Sequence, residues 1–217
     1  EFKNTASIND EVMRREMRQL EGAWLSNQSV ERSKERLQRL PYIEKVEFET
    51  KPVSGTPDLV DVEFDIKEGL PGQFGGGIGY SESQKAILNG NFVHSNFMGT
   101  GQRVAAEINK SRFSTVYSFN HTEPYTTIDG VSRTVGLRYQ DISQFVSSAS
   151  DFSTKTLAAT LDYAFPISEY QGVRLGISAQ RSELIAVEGG SAQQAVDWVR
   201  NNGNPYVETG FRDVLNP

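Results

Sequence analysis

Cysteine is absent from the 217 residues. No disulfide can staple the chain, so its fold must rest on burial and backbone pairing. Histidine occurs only at His94 and His121. No nucleophile elbow and no metal-ligand spacing appears, so no catalytic residue, metal ligand or cofactor is expected and the chain does not read as an enzyme. Long apolar runs are also missing. Apolar residues make up 37%, low for a globular chain, and nothing approaches the ~20 consecutive apolar residues of a membrane helix. That excludes helical spans only, because a membrane β-strand hides its apolar residues at every second position and leaves no hydropathy peak. Positive charge is not in excess: 28 acidic against 22 basic residues give a net charge of −6, which argues against nucleic acid as a partner. No secretion signal opens the chain. Glu1-Phe2-Lys3 reads as the middle of a strand, so an upstream portion is expected.

What is present divides at about residue 70. Residues 1–69 read as mixed α+β. Ser7 is placed to cap a helix, with Asp10 three residues on; Val12, Met13, Met17 and Leu20 then share a helical stripe, and Gly22 ends or interrupts it. A second helix is expected from about Asn27 or Ser29, turning Val30, Leu37 and Leu40 inward and stopping at Pro41. Two alternating strands follow, from Tyr42 to Thr50 and from Val60 to Glu68. With Phe2 as the remnant of a first strand, the order is β-α-α-β-β.

From Gly72 the helical period gives way to seven segments of strict alternation. Phe74, Gly76, Ile78 and Tyr80 form one apolar row, and Ala86, Leu88, Gly90 and Phe92 the next. Leu137 with Val135 and Tyr139 opposes Arg138, and Leu161 opposes Thr160 and Asp162. A soluble antiparallel sheet would need a layer to cover these rows. Downstream of residue 72 only a short helical piece, Ser191 to Arg200, is available, with Ala192, Ala195, Val196 and Val199 as its apolar side.

The connections sort by parity. Odd ones are polar and the later ones grow long: Asp141 to Ser153 holds five serines, and the seventh runs for about thirty residues. Even ones are compact with an aromatic at the entry: Phe97 in N-F-M-G-T-G, Tyr125 in E-P-Y-T-T-I-D-G, Phe165 in F-P-I-S-E-Y-Q-G. A sandwich has no reason to sort its loops this way. A membrane barrel does, with tight turns on one side, long loops on the other and aromatics girdling the interface. Asp129-Gly130 belongs to such a tight turn.

These motifs, in order, carry a resemblance. R-R-E-M-R-Q-L-E-G-A-W-L followed by a tail ending in V-D-V-E-F-D-I-K-E resembles a membrane-proximal polypeptide-transport-associated (POTRA) domain. G-I-G-Y, N-F-M-G-T-G, P-Y-T-T-I-D-G-V-S and F-P-I-S-E-Y resemble the first barrel strands of the BamA family of outer-membrane protein assembly factors. The resemblance implies an α+β POTRA domain at 1–69 in the periplasm. It further implies the N-terminal part of a transmembrane antiparallel β-barrel at 70–217, about seven strands of an incomplete barrel, with a long extracellular loop at 182–217. The family carries several such domains and a sixteen-stranded barrel, so the chain reads as a fragment holding the last POTRA domain. The family's loop of Val/Ile-Arg-Gly-Phe type is not found.

The resemblance also implies the activity: folding and insertion of other β-barrel proteins into the bacterial outer membrane, without ATP or covalent chemistry. The partners it implies are unfolded outer-membrane β-barrel clients, lipoproteins of the assembly complex and outer-membrane lipid. Two readings stay open beside it, a secretion pore of the same superfamily that translocates a polypeptide and a soluble POTRA/β-sandwich binding module. The stretch Phe74, Gly75, Gly76, Gly77, Ile78, Gly79, Tyr80 is the candidate seam. A phosphate loop would have to open a helix, whereas here the strand period continues. Glycine forfeits packing and conformational entropy in a strand, so this is the weakest strand and the natural place to accept a client strand by β-augmentation; alternatively, the glycines only relieve crowding in the barrel wall. Arg14, Arg18 and Glu21 are spaced for one outward helical face; they are either an ordinary solvated face or, as the resemblance implies, the docking surface for a partner lipoprotein. Phe97, Tyr125 and Phe165 are the expected girdle at the periplasmic turns.

Overall fold

The computed structural model describes the chain except residues 57, 146–150, 169–170, 187–190, 192, 203, 209–211 and 217, and leaves undescribed the further side chains of 144–145, 151–152, 204–208 and 212–216. The first unit runs β1 (Phe2–Lys3), α1 (Asp10–Arg14), α2 (Asn27–Gln38), β2 (Ile43–Pro52) and β3 (Val60–Glu68), the expected β-α-α-β-β order. Its sheet is ordered β1-β3-β2, with β1 parallel to β3 at Phe2↔Phe64 and β2 antiparallel to it at Phe48↔Phe64. Val12, Met13, Val30, Leu37, Val46 and Ile66 form the core between helices and sheet. The Ser26 hydroxyl caps α2 by accepting from the Ser29 N–H at 3.3 Å.

The first helix departs from expectation. It stops at Arg14 instead of continuing to Leu20, because the following amides find partners elsewhere. Glu16 and Met17 N–H close tight turns onto Met13 and Arg14 carbonyls, while Arg18 and Gln19 N–H donate to the Ser33 hydroxyl on α2 at 2.8 and 3.2 Å. Leu20 is left 69% exposed. Ser7 does not cap α1 either. Asn9 holds that position without a side-chain bond, and the Ser7 N–H and hydroxyl, with the Ala6 N–H, donate to the Glu68 carboxylate.

The second unit is one antiparallel sheet. Its strands are β4 (Gly72–Ser81), β5 (Lys85–Phe97), β6 (Gln102–Lys110), β7 (Ser114–Glu123), β8 (Ser132–Phe145), β9 (Asp151–Ser168) and β10 (Gln171–Ala186); helix α3 (Gln193–Asn202) and the strands β11 (Asn204–Glu208) and β12 (Arg212–Asn216) follow. The order is β11-β12-β10-β9-β8-β7-β6-β5-β4. The sheet does not close among the described residues: β4 pairs only with β5. These are the seven expected strands of an incomplete barrel, plus a hairpin. β10 runs five residues into the segment read as a loop from 182, and β12 joins its end at Leu184↔Leu215. β11 and β12 are five residues long each, about half a membrane span, too short to stand out as alternating segments in the sequence. Pro205 fits β11 because that strand is the sheet edge. α3 falls where expected, with Val196 and Val199 buried against Ala186 and Leu184; Ala192 lies outside the described residues. The Asp141 to Ser153 connection is shorter than read, since β8 and β9 extend into it to Phe145 and from Asp151; the serines between lie outside the described residues.

Register turns alternation into continuous rows. Phe74, Phe92, Ala106, Phe119, Leu137, Ala159 and Ala179 stand side by side across all seven long strands. The opposite face carries the row Gly75, Asn91, Glu107, Ser118, Arg138, Ala158 and Gln180. The apolar row stays exposed, Phe74 at 83% and Leu137 at 51%. One face of the sheet is thus apolar and uncovered and the other polar, the pattern of a barrel wall. No helix among the described residues is long and apolar enough to cross a membrane.

Candidate functional site

β4 is the sheet's edge. Its inward glycines stand under side-chain tips from β5. A Cβ on Gly75 would stand 2.5 Å from the Asn91 Oδ1, and one on Gly77 would stand 2.6 Å from the Asn89 Oδ1. The outward glycines differ: a Cβ on Gly76 would meet only the Asn89 carbonyl oxygen at 3.5 Å, and one on Gly79 only the Ile87 Cβ at 3.8 Å. Crowding by a side-chain tip thus bears on Gly75 and Gly77 and leaves Gly76 and Gly79 without a packing reason. Phe74, Ile78 and Tyr80 project from the same outer face at 83%, 87% and 72% exposure. The strand is held by one ladder, Gly72↔His94 to Ser81↔Lys85.

The three candidate docking residues do not share a helix face, because the helix ends at Arg14. Arg14 and Glu21 still meet as an ion pair, and Arg14 also pairs with Asp10; these bonds raise the Arg14 pKa, Asp10 acting most strongly. Arg18 donates to the Met17 carbonyl at 3.2 Å. Beside them a groove of about 600 Å³ runs between β1, β3 and the 19–25 segment, lined by Phe2, Met17, Leu20, Leu25, Val60 and Val62 among others.

The aromatics of the even connections part company. A β-bulge between His94 and Phe97 re-aims the strand, setting Phe97 edge-on to His94 at 6.2 Å. Phe165 lies beside Tyr163 at 6.4 Å, inside β9 and not in a turn. Both are partly exposed at the end of the sheet nearest the first unit. Tyr125 instead leaves the sheet surface and docks on the first unit. The Arg15 guanidinium sits 4.4 Å from its ring centre, and its hydroxyl accepts from Arg36 Nη2 at 3.1 Å. Arg36 in turn pairs with Glu16 at 2.7 Å, the two side chains 20% and 9% exposed. Burial, then the Glu16 charge, raises the Tyr125 pKa against the pull of Arg36. Nothing in the local sequence distinguishes this tyrosine from an interfacial one; its partners lie 89 and 110 residues away.

The second connection completes this joint. Asn96 is buried; its Nδ2 donates to the Ser7 carbonyl at 3.0 Å and its Oδ1 accepts from the Gly101 N–H at 2.8 Å. Asn9 N–H donates to the Gly99 carbonyl at 3.0 Å. Gly101 has φ +73° and would press any Cβ to 3.0 Å from the Tyr42 hydroxyl, so the turn needs glycine for both conformation and space. Burial pushes the Tyr42 hydroxyl up to about 12, Arg15 opposing. Connections two and four thus lie on the side of the first unit, as their parity requires. Glu169 and Tyr170 of connection six lie outside the described residues.

Known proteins share this architecture. The chain matches the family profile described as Omp85 superfamily domain over residues 96–206 and that described as POTRA, surface antigen variable number repeat, over residues 1–69. It is 32% identical over 173 residues to the outer membrane protein assembly factor BamA of Neisseria meningitidis, covering 79% of this chain and 22% of that protein. Its identity to BamA of Nitratidesulfovibrio vulgaris is 31% over 186 residues, 85% of this chain and 22% of that one. The chain therefore spans under a quarter of the length of these two relatives. A crystal structure of BamA from Haemophilus ducreyi lacking POTRA domains 1–3 superposes with a TM-score of 0.76 at 31% identity, over 99% of this chain and 40% of that one. With one profile on the mixed unit and the other over half the chain, the two-faced sheet and the unit docked on its turns place this chain in the Omp85 superfamily.

Proposed function

We propose that the chain is the membrane-proximal part of an outer-membrane protein assembly factor. Residues 1–69 form a periplasmic POTRA domain, and residues 70–217 begin a barrel embedded in the outer membrane, with the region from 182 on the extracellular side. The whole protein folds and inserts β-barrel clients without covalent catalysis. It does so by accepting a client strand at β4, which serves as a lateral seam.

The observation that carries this reading is the glycine content of the edge strand. In a closed barrel the first strand pairs with the last, so its weakness is the weakness of the closing ladder. Gly76 and Gly79 supply no side chain to that ladder and have no packing reason to be glycine. An opened seam exposes N–H and C=O groups that pair with an incoming strand. The exposed Phe74, Ile78 and Tyr80 would then continue their row onto the client. Arg14, Arg18 and Glu21, flanking the groove, are the proposed surface for an assembly-complex lipoprotein. A soluble sandwich fits poorly, since no second layer covers the apolar face among the described residues.

A disulfide tying β4 to the closing strand of the full-length protein tests the reading. Insertion of an unfolded porin into liposomes should stop in the locked barrel and return with reductant. Insertion at the normal rate by the locked barrel would reject the seam and leave the Arg14–Glu21 surface as the place to look for function.

A further inference from the structure

The seam reading treats β4 as a backbone edge, but the lumen face of that edge also carries chemistry. The Asn91 and Asn89 side chains lean from β5 over its ladder with β4, their Oδ1 atoms 2.5 and 2.6 Å from where a Cβ on Gly75 or Gly77 would stand. Both residues are exposed, and neither carboxamide has a hydrogen-bond partner among the described residues. The two asparagines thus place free donors and acceptors on one face of the edge strand, while its other face carries Phe74, Ile78 and Tyr80.

A strand pairing with β4 presents alternate side chains to these two faces. Its residues opposite Gly75 and Gly77 stand on the lumen side, about one cross-strand spacing (~5 Å) from the glycine positions and so beside the carboxamides. A hydroxyl or amide there can bond to Asn91 or Asn89; an aliphatic side chain would crowd both groups away from water without giving them a partner. We infer that Asn89 and Asn91 are specificity-determining residues that favour an incoming amphipathic β-strand with Ser, Thr, Asn or Gln at its two lumen-facing positions opposite Gly77 and Gly75. The inference rests on the seam reading. It adds a side-chain preference, and hence a choice of register: a slip by one residue would put apolar side chains against the carboxamides.

The test uses the full-length protein in nanodiscs with the photo-crosslinking amino acid benzoylphenylalanine replacing Tyr80, on the outer face. Two synthetic ten-residue strands are offered, identical except for threonine or valine at the two lumen-facing positions. The unaltered asparagines should capture the threonine strand roughly three- to tenfold better, the yield of one or two net hydrogen bonds. Asn89→Leu with Asn91→Leu, of similar volume, should bring the ratio close to one while both strands are still captured. Asn89→Ser with Asn91→Ser should keep a preference for threonine. Equal capture by the parent asparagines, or an unchanged ratio in the leucine variant, would overturn the inference and leave the seam standing. Capture of neither strand would overturn the seam reading itself and the inference with it.

Discussion

The Arg15 guanidinium lies 4.4 Å from the centre of the Tyr125 ring, and this contact bridges the two units of the chain. Arg36 binds the same tyrosine's hydroxyl, and Glu16 neutralises Arg36. The joint is therefore mostly polar, built from one ring, two guanidinium groups and a carboxylate, beside a second patch around Asn96. Tyr125→Ala should weaken docking of the POTRA unit on the turns by about 1–2 kcal/mol, the range of a partly desolvated cation–π contact with one hydrogen bond. Tyr125→Phe should lose only the hydroxyl's share. Hydrogen exchange at Asn9 and Gly101 amides, both engaged across or beside the joint, measures this. Unchanged protection in Tyr125→Ala would show that the Asn96 patch alone holds the units together.

Leu137 and Arg138 are neighbours on opposite faces of β8. Leu137 belongs to the exposed row and faces Phe119 and Ala159 across the ladders, whereas Arg138 stands in the polar row. If the first row meets lipid, Leu137→Arg should cost roughly 2–4 kcal/mol near mid-membrane, and Arg138→Leu, on the lumen face, much less. Urea titration of the barrel folded in liposomes compares them. Equal costs would mean a sheet buried on both faces.

The pH dependence of the POTRA unit should be set by carboxylates on β3. Burial opposes ionisation of Glu68, but the Ser7 hydroxyl and the Ser7 and Ala6 N–H bonds outweigh it and hold its pKa below the ordinary carboxylate value. Glu63, bonded to Lys3 and Lys51, is lowered to about 2. A carboxylate with a depressed folded-state pKa stabilises the fold fully above its unfolded value and loses that contribution as pH falls through the folded value. Stability should be flat near neutrality and decline from about pH 4.5 towards pH 2. Glu68→Gln should flatten the upper part of that decline in chemical unfolding curves taken at successive pH. A decline of the same shape in Glu68→Gln would remove Glu68 from the account.

The seven strands were legible because a period of two is written locally, and the register adds only which rows touch. α2 was legible for the same reason, its stripe and Pro41 being local. Of the features that were not, three bear on the site. The hydroxyl of Ser33 takes the amides of Arg18 and Gln19 and so ends α1 early, a competition that helical spacing cannot register. Tyr125 has the sequence surroundings of an interfacial aromatic, and only the fold brings Arg15 and Arg36 to it. The roles of the seam glycines depend on which face each occupies and on Asn89 and Asn91 opposite, so the single run of glycines that the sequence offers separates into two kinds.

That separation makes the last prediction. Valine at Gly76 or Gly79 fits on the outer face, where the nearest atoms to a Cβ stand at ordinary contact distances of 3.5 and 3.8 Å. It should strengthen the edge strand by ~1 kcal/mol per site at most, through β-propensity and packing along the apolar row. If β4 is the seam, the double variant Gly76→Val with Gly79→Val should fold normally, resist thermal unfolding slightly better and insert clients more slowly. Valine at Gly75 or Gly77 meets the Asn91 or Asn89 side chain instead and must displace it; the displaced group is the exposed, unbonded tip of a flexible side chain, so these variants should fold but gain less stability than the outer-face pair. A heat-modifiable gel shift for folding, read beside the rate of porin insertion into liposomes, separates the outcomes. A stabilised outer-face variant that inserts clients at the parental rate would mean that the ladder at β4 does not open during assembly, and Gly76 and Gly79 would be left without a role in either packing or the seam.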